Sequence, residues 1–196
     1  MTLRKLIFFV FALFNLVLHS QITDSYAYRS SIENPYGLPH PNAPKQIRDF
    51  DLLIGACDCM SIIRKADQTW AEPIPMKWRF KYIMNGNAVQ DETLKTDGTH
   101  SGSIRQFNTE TGKWQVHYYT TARADNPLMT WEGSKNKEGD LTFYRDSPSP
   151  QGSPGFYKIS FYNIKKTGFD WLGEWVNPNE TIHYPLWKIS CKKNQR

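Results

Sequence analysis

Apolar and polar residues alternate along most of the chain, in short runs separated by turn residues. Alternation over about four to eight residues predicts a β-strand with one buried face. The pattern predicts strands at residues 52–64, 76–84, 87–95, 100–108, 113–121, 128–135, 139–145, 156–164, 168–176 and 181–191. No stretch after residue 48 has convincing helical periodicity. The predicted fold is therefore all-β: a closed antiparallel up-and-down barrel of about 8–10 strands, with a two-sheet sandwich as the alternative.

The hairpin around Asn85-Gly86 places an acid on the apolar face of this sheet. An Asn-Gly pair is a strong signal for a two-residue hairpin turn, which here sets Phe80 opposite Asp91. Directly opposed residues share a face, so Trp78, Phe80, Tyr82 and Asp91 point to the same side. The alternate positions carry lysine, arginine and glutamate, which belong to water. Asp91 is therefore expected inside the barrel.

The next hairpin places a base on the same face. A four-residue loop at 109–112 pairs Arg105 with Val116 and puts Tyr118 on the apolar side. A three-residue loop at 97–99 is consistent with both face assignments and sets Arg105 directly opposite Asp91. A two-residue loop there would turn Arg105 to the outer face. The sequence therefore predicts a buried acid–base pair.

This pair has three interpretations. It can serve only to satisfy its own charges and to fix the strand register. It can also be a polar anchor in an apolar pocket, where the guanidinium of Arg105 meets a carboxylate or carbonyl of a ligand. A catalytic dyad is less favoured, because a carboxylate held by arginine is a poor general acid. We assign no catalytic residue, and the candidate ligand-binding residues are Trp78, Phe80, Tyr82, Asp91, Arg105 and Tyr118.

The first 48 residues differ from the rest. Residues 1–20 have the basic start, the apolar run and the small final residue of an export signal, with a retained N-terminal anchor as the alternative. No cysteine follows as a lipoprotein would require. Residues 21–48 contain four prolines and no periodicity, which predicts a flexible leader that is loose or lies over the domain. The barrel domain is expected at 49–196, and the protein is expected to be periplasmic or secreted, without a membrane span once the signal is removed.

Charge and cysteines narrow the function classes. Removing residues 1–20 lowers the net charge from +5 to +3, and the basic residues form no block, so nucleic-acid binding is not expected. Three cysteines are too few for a zinc site of about four ligands, so no metal is expected. In an exported protein, Cys191 is expected to form a disulfide with Cys57 or Cys59, and buried free thiols are the alternative.

Four segments carry a resemblance to a known family. They are "DFDLLIGACDCMSIIR" at 49–64, "MNGNAVQDE" at 84–92, "GSIRQFNTETGKW" at 102–114 and "FYNIKKTGFDW" at 161–171. In order and spacing they resemble an uncharacterised bacterial family of lipocalin-like (calycin-type) β-barrel domains, over about 49–191. The resemblance implies a calycin-like barrel of unknown activity, with Asp91 and Arg105 at recurrent family positions. The family has a tryptophan where this chain has Cys57, which favours a Cys57–Cys191 disulfide, although Cys59 shares the face.

Three functions from different classes fit these features. The first is an exported carrier of a small, mostly apolar or amphipathic molecule with one polar end, bound inside the barrel. The second is an enzyme of isomerase, cyclase or hydrolase type using the same pocket, and the third is a filled structural barrel. No cofactor is expected, because haem would need an axial histidine inside the barrel and His183 is the one candidate. The volume of an internal cavity would separate these functions, since a drug-sized ligand needs roughly 300 Å³.

Overall fold

The computed structural model describes residues 26–125 and 127–194, so the predicted export signal lies outside the described residues. The described chain has one 3₁₀ helix, Lys45–Phe50, and ten strands. The strands are β1 Gly55–Ile63, β2 Ile74–Ile83, β3 Ala88–Lys95, β4 His100–Asn108, β5 Lys113–Thr120, β6 Met129–Lys135, β7 Leu141–Asp146, β8 Phe156–Lys165, β9 Gly168–Val176 and β10 His183–Lys193. Each coincides with one of the ten predicted strands to within a few residues.

The ten strands form a closed antiparallel barrel. Every strand pairs with its neighbours in sequence, and β1 also pairs with β10. The predicted closed up-and-down barrel is confirmed, and the sandwich is excluded. The burial of β2 shows why the sequence folds this way: Trp78 and Phe80 are buried on the inner face, whereas Lys77 and Arg79 are exposed on the outer face.

The N-terminal segment, defined as residues 26–54, lies across one end of the barrel. The backbone N–H of Tyr82 donates to the carbonyl of Tyr36 at 2.8 Å, and that of His40 donates to Gly86 at 3.1 Å. In the 3₁₀ helix, Ile47 and Phe50 are buried in the same core as the strands. Of the two states expected for the leader, the described part therefore lies over the domain. The end that it covers is called the plugged end below.

Aromatic rings fill the barrel next to the plugged end. Phe50 lies 4.8 Å from Trp114 between ring centroids, and 6.5 Å from Phe143. Phe80 packs against Phe161 and Phe169 at 6.0 and 5.8 Å. Rings at these spacings pack directly against one another and fill the barrel interior next to this end. The opposite end is formed by the described parts of the loops that follow β1, β3, β5, β7 and β9, and is called the loop end.

The disulfide differs from the pairing that the resemblance favoured. Cys59 is bonded to Cys191, with their Cα atoms 4.1 Å apart, and Cys57 is a buried free thiol. The predicted Cys57–Cys191 bond is wrong because of the register of β1 on β10. Cys59 lies directly opposite Cys191, whereas Cys57 lies opposite Lys193, two positions away. A disulfide needs Cβ atoms that face each other closely.

None of the helices in the described ranges is long and apolar enough to span a bilayer. The disulfide is compatible with an oxidising, extracytoplasmic compartment.

Candidate functional site

A buried ion pair lies at the centre of the barrel. Asp91 on β3 and Arg105 on β4 are 3% and 2% exposed, and Nη1 of Arg105 donates to Oδ1 of Asp91. The same oxygen accepts a hydrogen bond from Oγ of Ser103 at 2.5 Å, and Oδ2 accepts one from Nε1 of Trp78 at 2.7 Å. Three donors thus hold the carboxylate. Both side chains point inward, as the alternation on each strand predicted.

The strand register corrects one detail of that prediction. Asp91 lies opposite Ser103, and Arg105 lies opposite Val89, so the two charged residues are diagonal neighbours and not a directly opposed pair. The loop between their strands has three residues, as expected, but spans 96–98 and not 97–99. Its closing bond runs from the N–H of Lys95 to the carbonyl of Thr99 at 3.1 Å. A shift of two positions leaves every side chain on its predicted face, and a long arginine reaches the diagonal position.

The turn at Asn85-Gly86 joins β2 to β3. Phe80 lies opposite Asp91, as predicted, and the N–H of Asn87 donates to the carbonyl of Met84 at 3.2 Å around the two expected residues. Met84, Asn85 and Gly86 all have positive φ, at 52°, 51° and 82°. Regular strand pairing ends one step earlier, at Ile83 and Ala88, in the predicted register.

The guanidinium of Arg105 is surrounded by rings. Its central carbon lies 5.3, 5.4 and 5.5 Å from the ring centroids of Phe50, Phe80 and Phe161. Cation–π attraction to these rings replaces part of the hydration that burial removes, and Asp91 neutralises the charge. The pair therefore forms a floor between the packed rings of the plugged end and the space above it.

Above this floor lies a cavity of about 230 Å³. Most of its wall is aromatic or aliphatic, and its polar groups are concentrated on β3 and β4. The lining residues are Trp78, Asp91, Thr93, Ser101, Gly102, Ser103, Arg105, Val116, Tyr118, Met129, Trp131, Arg145, Tyr157, Ile159, Trp171, Trp187 and Ile189. An apolar space with a few convergent polar groups is the usual form of a small-molecule site.

The neutral polar groups of the cavity lie at two places. The hydroxyls of Thr93 and Ser101 are 2.6 Å apart and share a hydrogen bond. On the opposite wall, burial raises the pKa of Tyr157 to about 12, while the nearby positive charge of Arg145 opposes that rise. Tyr157 therefore stays protonated at neutral pH.

Arg145 on β7 is a second arginine of the cavity, and the sequence reasoning missed it. Its guanidinium carbon lies 4.8 Å from the ring centroid of Trp131 and 6.0 Å from that of Tyr157. Its Nε is buried and has no hydrogen-bond partner. The available signal was the alternation of β7, where the inner positions are Leu141, Phe143 and then Arg145.

The structure brings together four of the six predicted binding residues. Trp78, Asp91, Arg105 and Tyr118 line the cavity, whereas Phe80 and Tyr82 do not. Phe80 belongs to the packed rings near the plugged end. The hydroxyl of Tyr82 donates to the carboxylate of Asp51 in the N-terminal segment, and burial together with this bond raises the pKa of Tyr82. Both residues point inward as predicted, but they serve the attachment and packing of the plug.

The cofactor candidate lies elsewhere. His183 is exposed on β10, where its Nδ1 is 3.1 Å from Oε2 of Glu174. In the described ranges, no three histidine, cysteine, aspartate or glutamate side chains group so that they could hold a metal ion. A larger cleft of about 960 Å³ lies outside the barrel, between residues 54–56, 165–170 and 190–194. Its lining includes Lys165, Lys166, Lys192 and Lys193 and lacks the tryptophan-rich wall of the interior cavity, which therefore remains the candidate site.

Fold and site together define this protein as a closed ten-stranded antiparallel β-barrel with an internal cavity, an architecture that fits a calycin-type fold. No protein-family model and no curated protein matches the chain. Among solved structures, it is similar to the S-type phycobiliprotein lyase of Guillardia theta, with a TM-score of 0.49 and 4% identity. The match covers 75% of this chain and 91% of that one.

Proposed function

We propose that this protein is an exported, calycin-like barrel that binds a small, mostly apolar molecule with one polar end in its interior cavity. The observation that carries the proposal is the cavity of about 230 Å³, which has aromatic walls and a polar side that includes the Asp91–Arg105 pair. Export is supported by the signal-like residues 1–20 and by the compatibility of a disulfide with an oxidising compartment.

The cavity volume sets the size of the ligand. A volume of 230 Å³ equals that of about eight water molecules at ~30 Å³ each, and lies below the ~300 Å³ typical of drug-sized ligands. The ligand is therefore a single ring with a short substituent, or a short aliphatic chain. The indole surfaces of Trp78, Trp131, Trp171 and Trp187 favour a flat apolar body.

The hydrogen bonding of the Asp91 carboxylate favours ligand binding over catalysis. Asp91 accepts hydrogen bonds from Trp78, Ser103 and Arg105, so its oxygens are held by three donors within the protein. A general base must reach the proton that it removes with an available lone pair. We therefore propose no chemical step for this cavity.

Isothermal titration calorimetry with phenylacetamide, a small neutral aromatic probe, tests the proposal. The unmodified protein should bind it saturably. Met129→Trp should weaken binding at least tenfold, because Met129 lines the cavity and the indole would fill it. Leu128→Trp is the matched control, since the neighbouring Leu128 is 45% exposed and does not line the cavity.

The proposal is wrong if phenylacetamide, phenylacetate and phenethylammonium all fail to bind and native mass spectrometry of protein from its own host shows no adduct. It is also wrong if a probe binds equally well to Met129→Trp and to the unmodified protein, because binding would then lie outside the barrel. Thermal unfolding of both tryptophan variants checks that they remain folded.

A further inference from the structure

The charges that line the cavity do not balance. Two arginines and one carboxylate face it: Arg105, Arg145 and Asp91. Arg105 is paired with Asp91 and is covered by three phenyl rings. In the described part of the chain, no carboxylate lies within ion-pair distance of Arg145. The cavity therefore carries one positive charge that the protein does not neutralise.

The position of Arg145 is fixed by its neighbours. Its guanidinium stacks near the ring of Trp131, and Nε1 of Trp131 donates to the carbonyl of Tyr157 at 3.1 Å. This bond ties the indole on β6 to the backbone of β8, so the ring is a firm support for the guanidinium. A stacked guanidinium loses less freedom when it binds an anion, because its plane is already oriented.

The unpartnered Nε of Arg145 supplies the second argument. A guanidinium recognises a carboxylate through two parallel N–H donors, and Nε with one Nη forms such an edge. Buried donors are nearly always paired, and the Nε of Arg145, like that of Arg105, is buried without a partner. It is closed even to a water-sized atom, so a ligand oxygen bonds it once the guanidinium turns toward the cavity.

We infer that the cavity selects a small apolar monoanion, with a carboxylate bound by Arg145 and an apolar body between the tryptophan rings. The inference rests on the proposed function and names its ligand class. It also moves the polar anchor from Arg105, where the sequence placed it, to Arg145. Because one positive charge is left over, a single anionic group is the expected match, and a cation of the same shape is disfavoured.

Three probes of nearly equal shape test this assignment by calorimetry: phenylacetate, phenylacetamide and phenethylammonium. Phenylacetate should bind at least about tenfold more tightly than phenylacetamide, which corresponds to ~1.4 kcal/mol, and phenethylammonium should bind most weakly. This comparison uses the unmodified protein, so it does not depend on whether a variant folds.

Variants then locate the charge. Arg145→Met keeps an apolar side chain beside Trp131 and should abolish the preference for phenylacetate. Arg145→Lys should retain part of it, because lysine keeps the charge but lacks the two-donor edge. Arg79→Met is the matched control, since it removes one positive charge from the outer face of β2, where Arg79 is 56% exposed, and should leave the preference unchanged.

The outcomes separate the two proposals. If the probes bind without regard to charge, or if the preference survives Arg145→Met, the anion inference is wrong while the proposed function stands. If Arg79→Met abolishes the preference as completely as Arg145→Met, the effect belongs to the net charge of the protein and the inference is also wrong. If no probe binds, native mass spectrometry of protein from its own host decides: the lack of an adduct overturns the proposed function, and an adduct without an anionic group overturns the anion inference alone.

Discussion

The buried Asp91–Arg105 pair gives the sharpest stability prediction. Removing one partner of a buried ion pair typically costs about 3–5 kcal/mol, because the other charge stays buried without compensation. Arg105→Met leaves Asp91 with the hydrogen bonds from Trp78 and Ser103, so its cost should lie near the lower end, about 3 kcal/mol. Asp91→Leu leaves the guanidinium among three phenyl rings with no anion, so its cost should lie near the upper end, about 5 kcal/mol.

The double variant distinguishes a pair from two independent contributions. With both charges removed, only the neutral donors of Trp78 and Ser103 lose their acceptor, at about 1–3 kcal/mol each if they stay unsatisfied. We expect the double variant to cost about 3 kcal/mol, well below the ~8 kcal/mol sum of the single variants. The difference, about 5 kcal/mol, is the coupling energy of the pair.

Urea unfolding followed by tryptophan fluorescence, with the disulfide intact, measures these costs by linear extrapolation. The exposed pair Arg79–Glu92, which joins β2 to β3 next to the buried pair, is the matched control, with its atoms 2.6 Å apart. Arg79→Met should cost no more than about 1 kcal/mol, because water solvates Glu92 when its partner is removed. The reasoning is refuted if Arg105→Met costs as little as Arg79→Met, or if the Asp91 and Arg105 costs are additive.

Two further predictions concern the cysteines and one turn. Burial raises the pKa of the Cys57 thiol to about 11, so at pH 8 iodoacetamide should label Cys57 only after unfolding. Non-reducing peptide mapping should find a peptide in which Cys59 is linked to Cys191. A peptide that links Cys57 to Cys191 would contradict the register of β1 on β10. Gly86→Ala should destabilise the protein by more than Gly98→Ala in the same urea assay. Both glycines have φ near 80°, but a Cβ at Gly86 would lie 2.3 Å from a backbone nitrogen of the N-terminal segment, whereas one at Gly98 meets nothing within 4 Å. Equal losses in the free energy of unfolding would show that this contact is not maintained.

The faces of the strands could be predicted from sequence because alternation has a period of two. An error of two positions in the register between β3 and β4 left both Asp91 and Arg105 inside, so the buried pair was found despite the wrong loop position. The same alternation could not decide which of Cys57 and Cys59 bonds to Cys191, because these two residues share a face. That choice depends on how β1 meets β10, two strands separated by nearly the whole domain.

Three other features of the structure could not be predicted from the alternation of apolar and polar residues. The sequence does not give the cavity volume, which depends on how far the rings of opposite strands reach into the barrel. Arg145 lies at the last inner position of β7, where a charged residue is usually taken as part of the rim. The 3₁₀ helix was missed for a compositional reason, because four prolines precede it and hid the three-residue spacing of Ile47 and Phe50, which matches one face of such a helix.

The Cys59–Cys191 bond gives the barrel the connectivity of a ring. Nine of the ten strand pairings join consecutive strands, and the tenth, between β1 and β10, is the one that the bond crosses, over a separation of 132 residues. Such a cross-link restricts the unfolded chain by on the order of 5 kcal/mol in the loop-entropy account. A single backbone cut in any turn between these cysteines would leave two polypeptides that remain joined through this bond, with all ten strands present. Protein nicked at such a turn should therefore keep the barrel as long as the bond stays oxidised.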